Sequence, residues 1–396
     1  MRTTFADILQ KTADEPCRRM AAKVPQWAGV EGMRYPTLLC TEQCSGSAAA
    51  LLKAGEAAAL CPKDGFEVAD LTAGIGVDSW AFCTAGARVL HNERDGCLSA
   101  AARHNFALLG MSGIEFSTVD LTPGTVGPLL SDFFTTPDPS ARICYLDPAR
   151  RSATGSKVFR IQDCTPDILE LLPQLFEQAR FVMVKLSPMA DIDLCISELG
   201  ACLKRNGTAT EHTESPCRKA ICIGSGKECK ELLLILDREH KGEPLIQVRD
   251  GSFKLSFARK DEKTSEPTFC ETSDITGKYL FEPGRALAKA GAFRLLSQRF
   301  GLRKLDVSTQ LYCSDEPNPD LADAGKWFRI IETAPFGKAG LREFSARYPQ
   351  CEVSARNLPI SSDELRSRMK VKSGGDIHIF ATLVNAQRTL IAAKTE

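Results

Sequence analysis

Between Glu67 and Phe82 the chain reads Glu-Val-Ala-Asp-Leu-Thr-Ala-Gly-Ile-Gly-Val-Asp-Ser-Trp-Ala-Phe. A short apolar run ends on a carboxylate, Asp70, and passes through Gly74 and Gly76 into an amphipathic helical pattern. That is the layout of a loop holding a nucleotide-type ligand. Both glycines can take positive φ, so backbone amides are expected to face a bound molecule at the N-terminus of the following helix. The loop differs from a dinucleotide-phosphate loop, because Ser79 occupies the place of the third glycine. Asp70 would repel phosphate and attract an ammonium or sulfonium group. An ordinary strand-to-helix turn is the plain alternative.

Three further carboxylates recur at the ends of apolar runs: Glu93, Asp120 and Asp147. In a doubly wound sheet the carboxyl ends of the strands share one crevice, so the four acids are expected to converge. Glu93 follows Asp70 by twenty-three residues, close to the spacing at which a strand-terminal acid accepts hydrogen bonds from both ribose hydroxyls. Asp120 could accept the exocyclic amine of an adenine, or merely cap the next turn. Thr72, Ala73 and Ile75 would supply backbone contacts. Asp147-Pro148-Ala149-Arg150 is the second informative element. Its carboxylate suits a nitrogen bearing hydrogens, its guanidinium a base plane or a phosphate, and a simple turn is the other reading.

The elements that must position these residues follow from hydrophobic periodicity. Strands are expected at Glu67 to Asp70, Arg88 to His91, Ile114 to Val119, Arg142 to Leu146 and Phe181 to Lys185, separated by helices over about 77–85, 98–109, 167–178 and 191–203. Such alternation predicts a parallel sheet covered on both faces. Segments 209–215, 219–224 and 232–236 read as an antiparallel edge. Alanine-rich helical patterning fills residues 1–62, with Ser45 or Ser47 a plausible cap for the run Ala48 to Leu60. Polar hairpins follow Arg238, then a charged linker from Lys260 to Glu266. A new α+β region begins near Tyr279. The expected division is a helical segment over 1–62, a catalytic domain over 63–260 and C-terminal segments over 279–321 and 322–396.

With 396 residues, 43% hydrophobic and 25% charged, the chain can build two or three cores. Fifty basic and fifty acidic residues cancel, so any polyanion-binding surface must be local. Such a surface is expected at 285–304, where a basic amphipathic helix is read over Arg285 to Phe300 and six Lys or Arg residues occur with no acid, and at 326–372, with ten basic residues against five acidic. Tyr312, Trp327, Phe328 and Phe336 lie nearby and would supply stacking. The sixteen cysteines are scattered without a Cys-x-x-Cys and only five histidines are present, so no metal site is expected and the thiols read as reduced. No apolar leader or membrane-length run occurs, and the expectation is a soluble, cytoplasmic protein.

At Asp70-x-x-x-Gly74-x-Gly76 the chain resembles the class I methyltransferases that use S-adenosylmethionine, and Asp147-Pro148-Ala149-Arg150 resembles the Asn/Asp-Pro-Pro-Tyr/Phe motif of amino-group methyltransferases. Ala149 replaces the second proline and Arg150 the stacking aromatic. Asp-Pro-Pro-Arg of uracil C5 methyltransferases is also similar, but Lys185-Leu186-Ser187-Pro188 lacks the cysteine that chemistry needs. Tyr279 to Gly284, Leu311-Tyr312, Trp327 to Glu332, Ala355 to Pro359 and Gly374-Gly375-Asp376 look like the ferredoxin-like and THUMP-like segments of such enzymes. The resemblance implies a Rossmann-like core with N-terminal helices and a C-terminal α+β region, S-adenosylmethionine as cofactor, and RNA (tRNA or rRNA) as partner. It implies cofactor contacts from Asp70, Thr72, Ala73, Gly74, Gly76, Glu93 and Asp120, chemistry at Asp147, Pro148 and Arg150, and substrate contacts from Arg150, Arg151, Arg294 and Arg299. Methylation of a protein or small metabolite, and RNA binding without turnover, remain open.

Overall fold

The computed structural model describes residues 15–61, 65–150, 160–205, 215–226 and 228–396, the side chain of Arg150 excepted. Arg151 and nearly all of the edge strand expected at 209–215 lie outside them. The chain forms two compact units, Met1–Ala220 with Glu231–Pro244, and Ile221–Lys230 with Leu245–Glu396.

In the first unit the strands are β1 (Glu67–Asp70), β2 (Arg88–Asn92), β3 (Ile114–Ser117), β4 (Arg142–Leu146), β5 (Phe181–Leu186), β6 (Cys217–Ser225) and β7 (Glu228–Asp237), the last two straddling the division. Their order is 3-2-1-4-5-7-6. β1 to β5 pair in parallel and β7 runs antiparallel to β5. Chain order reverses beside β1, which pairs with both β2 and β4, so the crevice for a ligand opens at the carboxyl ends of these strands. All residues of β1 and β5 are buried, as two-sided coverage by helices requires.

The helices are α1 (Leu38–Gln43), α2 (Ser47–Leu60), α3 (Val77–Thr84), α4 (Gly96–Leu108), α5 (Pro123–Phe133), α6 (Ile168–Gln178) and α7 (Ile192–Arg205). Gly76, at φ 92°, is the N-cap of α3. The Asp95 carboxylate caps α4 by accepting from the Cys97 and Leu98 amides. Gly46, not Ser45 or Ser47, caps α2, which leaves the Ser45 hydroxyl for another task.

The second unit contains the hairpin Leu245–Asp250 with Phe253–Ala258, and a sheet whose long members are Gly325–Pro335, Gln387–Thr395 and Ile377–Val384. Helices Lys338–Arg347 and Ser362–Met369 bring Phe344, Leu365 and Met369 to one sheet core. Leu280, Phe328 and Phe380 belong to another. Three expectations change here. Lys260 to Glu266 is no simple linker, since Arg259–Thr264 is helical. The single basic helix expected over 285–300 is two helices, Arg285–Ala290 and Phe293–Phe300, divided at Gly291, whose φ is 75°. Tyr312, Trp327 and Phe328 are buried in the protein core and offer no stacking surface.

Candidate active site

A cavity of about 610 Å³ opens at the carboxyl ends of β1, β2 and β4, within the size range of small-molecule and cofactor sites. Asp70, Thr72, Ala73, Gly74, Glu93, Asp120 and Asp147 all line it. So do Leu39, Cys40, Gln43, Cys44 and Ser45 on and after α1, which puts this segment on the wall of the same cavity as the glycine loop. Of the described lining residues, eight are Asp or Glu and Arg94 alone is basic.

Asp70 lies in register with His91 on β2 and Tyr145 on β4. It is fully buried, and its Oδ2 accepts from the Ser79 hydroxyl at 2.6 Å. Burial pushes its carboxyl well above the usual range, with Ser79 opposing. The expected fixed negative charge facing the ligand is therefore muted, because the proton is favoured in so dry a place. Oδ1 is buried without a hydrogen-bond partner among the described residues, an unmet acceptor of the sort a bound ligand satisfies.

The loop amides also behave differently from expectation. Gly74 N donates to Glu93 Oε2 at 3.0 Å, Ala73 N to the Asn92 carbonyl at 3.0 Å, and Gly76 N to the Ala73 carbonyl at 2.9 Å. These amides shape the loop and do not point at a ligand. Glu93 accepts a second amide, from Asp95, at 2.8 Å, so the carboxylate is preset by backbone while each oxygen retains a further lone pair. A Cβ at Gly74 would meet nothing within 4 Å, whereas one at Gly76 would stand 2.5 Å from Phe106 and 3.2 Å from His91. Gly74 keeps the cradle open; Gly76 is required by packing.

Only Asp70 is itself a strand terminus. Glu93 follows β2 and Asp147 follows β4, while Asp120 stands three residues beyond β3, exposed and 3.7 Å from Arg94. Asn92, unnoticed in the sequence, binds three strand ends together: its Nδ2 donates to the Leu71 and Val119 carbonyls at 3.1 and 3.0 Å, and its Oδ1 accepts from Val119 N at 3.0 Å.

Asp147 is held at both ends. Its amide donates to Thr72 Oγ1 at 2.6 Å, which makes Thr72 a brace between β1 and β4, and its Oδ2 accepts from Lys185 Nζ at 2.5 Å. Pro148 is buried beside it. Ala149 and Arg150 form a two-residue strand against Cys164–Thr165, with Ala149 opposite Thr165, both of them cavity residues, and the Arg150 backbone opposite Cys164. Beneath the cavity lies a network the sequence did not disclose. Lys53 Nζ is 2.9 Å from Asp78 Oδ1, 2.8 Å from Glu231 Oε2 and 2.7 Å from Ser45 Oγ. Tyr145 and Ser45 hydroxyls both donate to Asp78 Oδ2 at 2.8 Å. Burial alone would raise the Asp78 carboxyl, but Lys53 and Lys185 hold it below its usual value. Lys185 is raised, since Asp147, Glu231 and Asp78 outweigh its burial. The sequence signal for these residues is a lone charge in an apolar run: Lys53 among alanines, Lys185 in Phe-Val-Met-Val-Lys-Leu, Glu231 before three leucines.

In the second unit Arg294 and Arg299 are exposed but engaged. Arg294 donates to the Lys263 carbonyl at 3.3 Å, and Arg299 to the Ser256 carbonyl at 2.9 Å with Asp261 4.0 Å away. Arg303 pairs with Asp315 at 2.9 Å, and Lys304 is buried. The cationic face expected over 285–304 is thus largely satisfied locally.

Residues 279–321 match a ferredoxin-like domain model and residues 325–394 a THUMP domain-like model. A crystal structure of a Porphyromonas gingivalis protein, named provisionally as a methyltransferase, is similar over 97% of this chain and 89% of its own, with a TM-score of 0.76 and 29% identity. The chain is an S-adenosylmethionine-dependent methyltransferase of class I fold, with ferredoxin-like and THUMP-like matches at its C-terminus. A Mycobacterium tuberculosis protein described as an uncharacterized S-adenosylmethionine-dependent methyltransferase is 26% identical over 325 residues, 81% of this chain and 78% of its own. The cavity of this methyltransferase fits the cofactor in the character of its walls: an open cradle at Gly74, the preset Glu93 carboxylate and the unmet Asp70 oxygen. No helix among the described residues is long and apolar enough to cross a membrane, and no group of three or more His, Cys, Asp or Glu among them could hold a metal.

Proposed function

We propose that this methyltransferase modifies a base nitrogen of RNA, with Asp147 and Pro148 gripping the acceptor. The observation that carries the reading is the placement of Asp147: it follows the central strand β4, lines the cavity, and is clamped by Thr72 and Lys185. Bound S-adenosylmethionine supplies an electrophilic methyl group. Asp70, Gly74, Glu93 and Asp120 would hold it on the β1 to β3 side of the crevice. Asp147 accepts an N–H of the target nitrogen, the Pro148 carbonyl can accept another, and the carboxylate stabilises positive charge developing on that nitrogen. Arg150 and Arg151 would serve the base or its flanking phosphate. The THUMP-like match supports RNA as partner, and the exposed Lys338, Arg342, Lys370 and Lys372 of the second unit suit phosphate contacts better than Arg294 and Arg299.

Mass spectrometry of modified nucleosides from cells lacking the protein tests the reading. One methylated nucleoside should vanish, return with the wild-type chain, and stay absent with Asp147→Ala. Binding of the unmodified RNA should weaken with salt, each neutralised phosphate adding about 0.7 to the logarithmic slope for single strands, and Lys338→Glu with Arg342→Glu should flatten that slope. The acidic lining of the cavity favours one second reading, an amine of a protein or small metabolite as acceptor. An unchanged nucleoside profile, with labelled methyl appearing in protein or a small amine, would establish it.

A further inference from the structure

Lys185 is the one charged residue of β5 and is buried, yet it reaches the cavity wall: its Nζ lies 2.5 Å from Asp147 Oδ2 and 3.9 Å from Glu231 Oε1. The shorter distance makes Asp147 its principal partner. Glu231 is occupied by Lys53, which is itself held by Asp78 and Ser45. Lys185 is thus free to serve the residue that faces the acceptor. We propose that Lys185 is the positioning residue for the methyl acceptor: it fixes the rotamer of Asp147 through Oδ2, keeps that carboxylate ionised, and presents Oδ1 to the substrate N–H. This rests on the reading that Asp147 grips the acceptor.

The electrostatics require such a partner. The Asp147 charge is opposed by Asp70 on β1 and Asp78 on α3, with Tyr145 on its own strand, while Glu231 on β7 stands 3.9 Å from the Lys185 ammonium that Asp147 binds. Lys53 on α2 and Lys185 on β5 are the opposing charges. Burial raises the Asp147 carboxyl, and Lys185 is the largest influence against that rise. Without it the carboxylate would tend to take up a proton, and a protonated acid is a weaker acceptor for an N–H and lacks the charge that stabilises a developing cation. A lysine whose own charge is favoured by three carboxylates does not act as a base; its part is geometric and electrostatic.

The test uses the full-length chain labelled with carboxyl-¹³C aspartate, the Asp147 signal being the one missing from Asp147→Asn. Lys185→Met should move the Asp147 titration upward by a pH unit or more, an effect on the order of a lost close charge, while Lys185→Arg keeps it near wild type. Affinity for S-adenosylhomocysteine, read by calorimetry, should stay within a few fold in both. Lys185→Gln replaces Lys185→Met should the latter not fold. An unmoved Asp147 titration in the uncharged variants overturns the proposal. A shifted titration with methyl transfer undiminished in Asp147→Ala would instead sink the assignment of Asp147 to the acceptor.

Discussion

Lys53 and Glu231 stand 178 residues apart in the chain and meet at 2.8 Å in the interior. Their contact joins a helix of the N-terminal segment to the antiparallel strand beside β5, directly under the candidate active site. Removing one partner of a buried pair leaves the other's charge stranded, which costs about 3–5 kcal/mol. Lys53→Met, which takes the nearest ammonium from both Asp78 and Glu231, should lower unfolding free energy by about that amount in urea titration. A loss below about 1 kcal/mol would mean the network is hydrated in solution.

Glu93 accepts two backbone amides and lines the cavity. Glu93→Ala is expected to weaken S-adenosylmethionine binding at least tenfold, about 1.4 kcal/mol. Glu93→Gln, which keeps an acceptor for Gly74, should lose less. Isothermal calorimetry decides, with NAD as a ligand expected to give no heat in any of the three proteins.

Substitution of the two loop glycines should separate their roles. Gly74→Ala places a methyl group in open space at φ 58°, whereas Gly76→Ala combines φ 92° with a 2.5 Å approach to Phe106. Both suffer left-handed strain of about 1–2 kcal/mol, and Gly76→Ala should add an overpacking cost of about 1–3 kcal/mol. Thermal unfolding of the two variants is the measurement. Equal losses would show that the Phe106 ring moves aside.

His91 is buried against Phe106 and Phe116, and burial, with Arg103 adding, lowers its pKa to about 3. The folded protein keeps the ring neutral while the unfolded chain protonates near the ordinary 6.5. Stability from this residue is therefore complete above pH 6.5 and declines as pH falls toward 3, at up to about 1.4 kcal/mol per unit. Denaturant curves at pH 7.5, 6 and 5 should show the wild type losing more stability than His91→Gln over that span. Parallel losses in both proteins would mean that carboxylates, not this ring, set the acid limb.

The strand-turn-helix at Asp70 to Trp80 was legible because it is local: apolar run, acid and glycines act within a dozen residues. Asp147 could be placed on the crevice because a parallel sheet sends every such end to one side. Lys53, Lys185 and Glu231 were not legible as a set. A lone charge in an apolar run announces a buried partner but not its address, and here the partners lie far apart in the chain. The basic stretch 285–304 misled for the same reason. Counting charges finds six cations, yet Asp261 and Asp315, outside the stretch, take up two of them, and Lys304 turns inward to the Val307 carbonyl and Gln310. Tyr312, Trp327 and Phe328 beside that stretch sit in strands and are buried in the core, a distinction that composition cannot make.

The span between Lys53 and Glu231 also sets an order of events on the ribosome. At roughly 5–20 residues per second, the 178 residues separating them take on the order of ten to thirty-five seconds to translate. In the later part of that interval, once Asp147 has been added, the nascent chain carries the glycine loop, Glu93, Asp120 and Asp147, but not the acid that locks Lys53 in place. The floor of the candidate site is completed only when β7 leaves the exit tunnel and inserts beside β5, so a half-made chain displays both motifs of the crevice, the glycine loop and Asp147-Pro148, without the finished site.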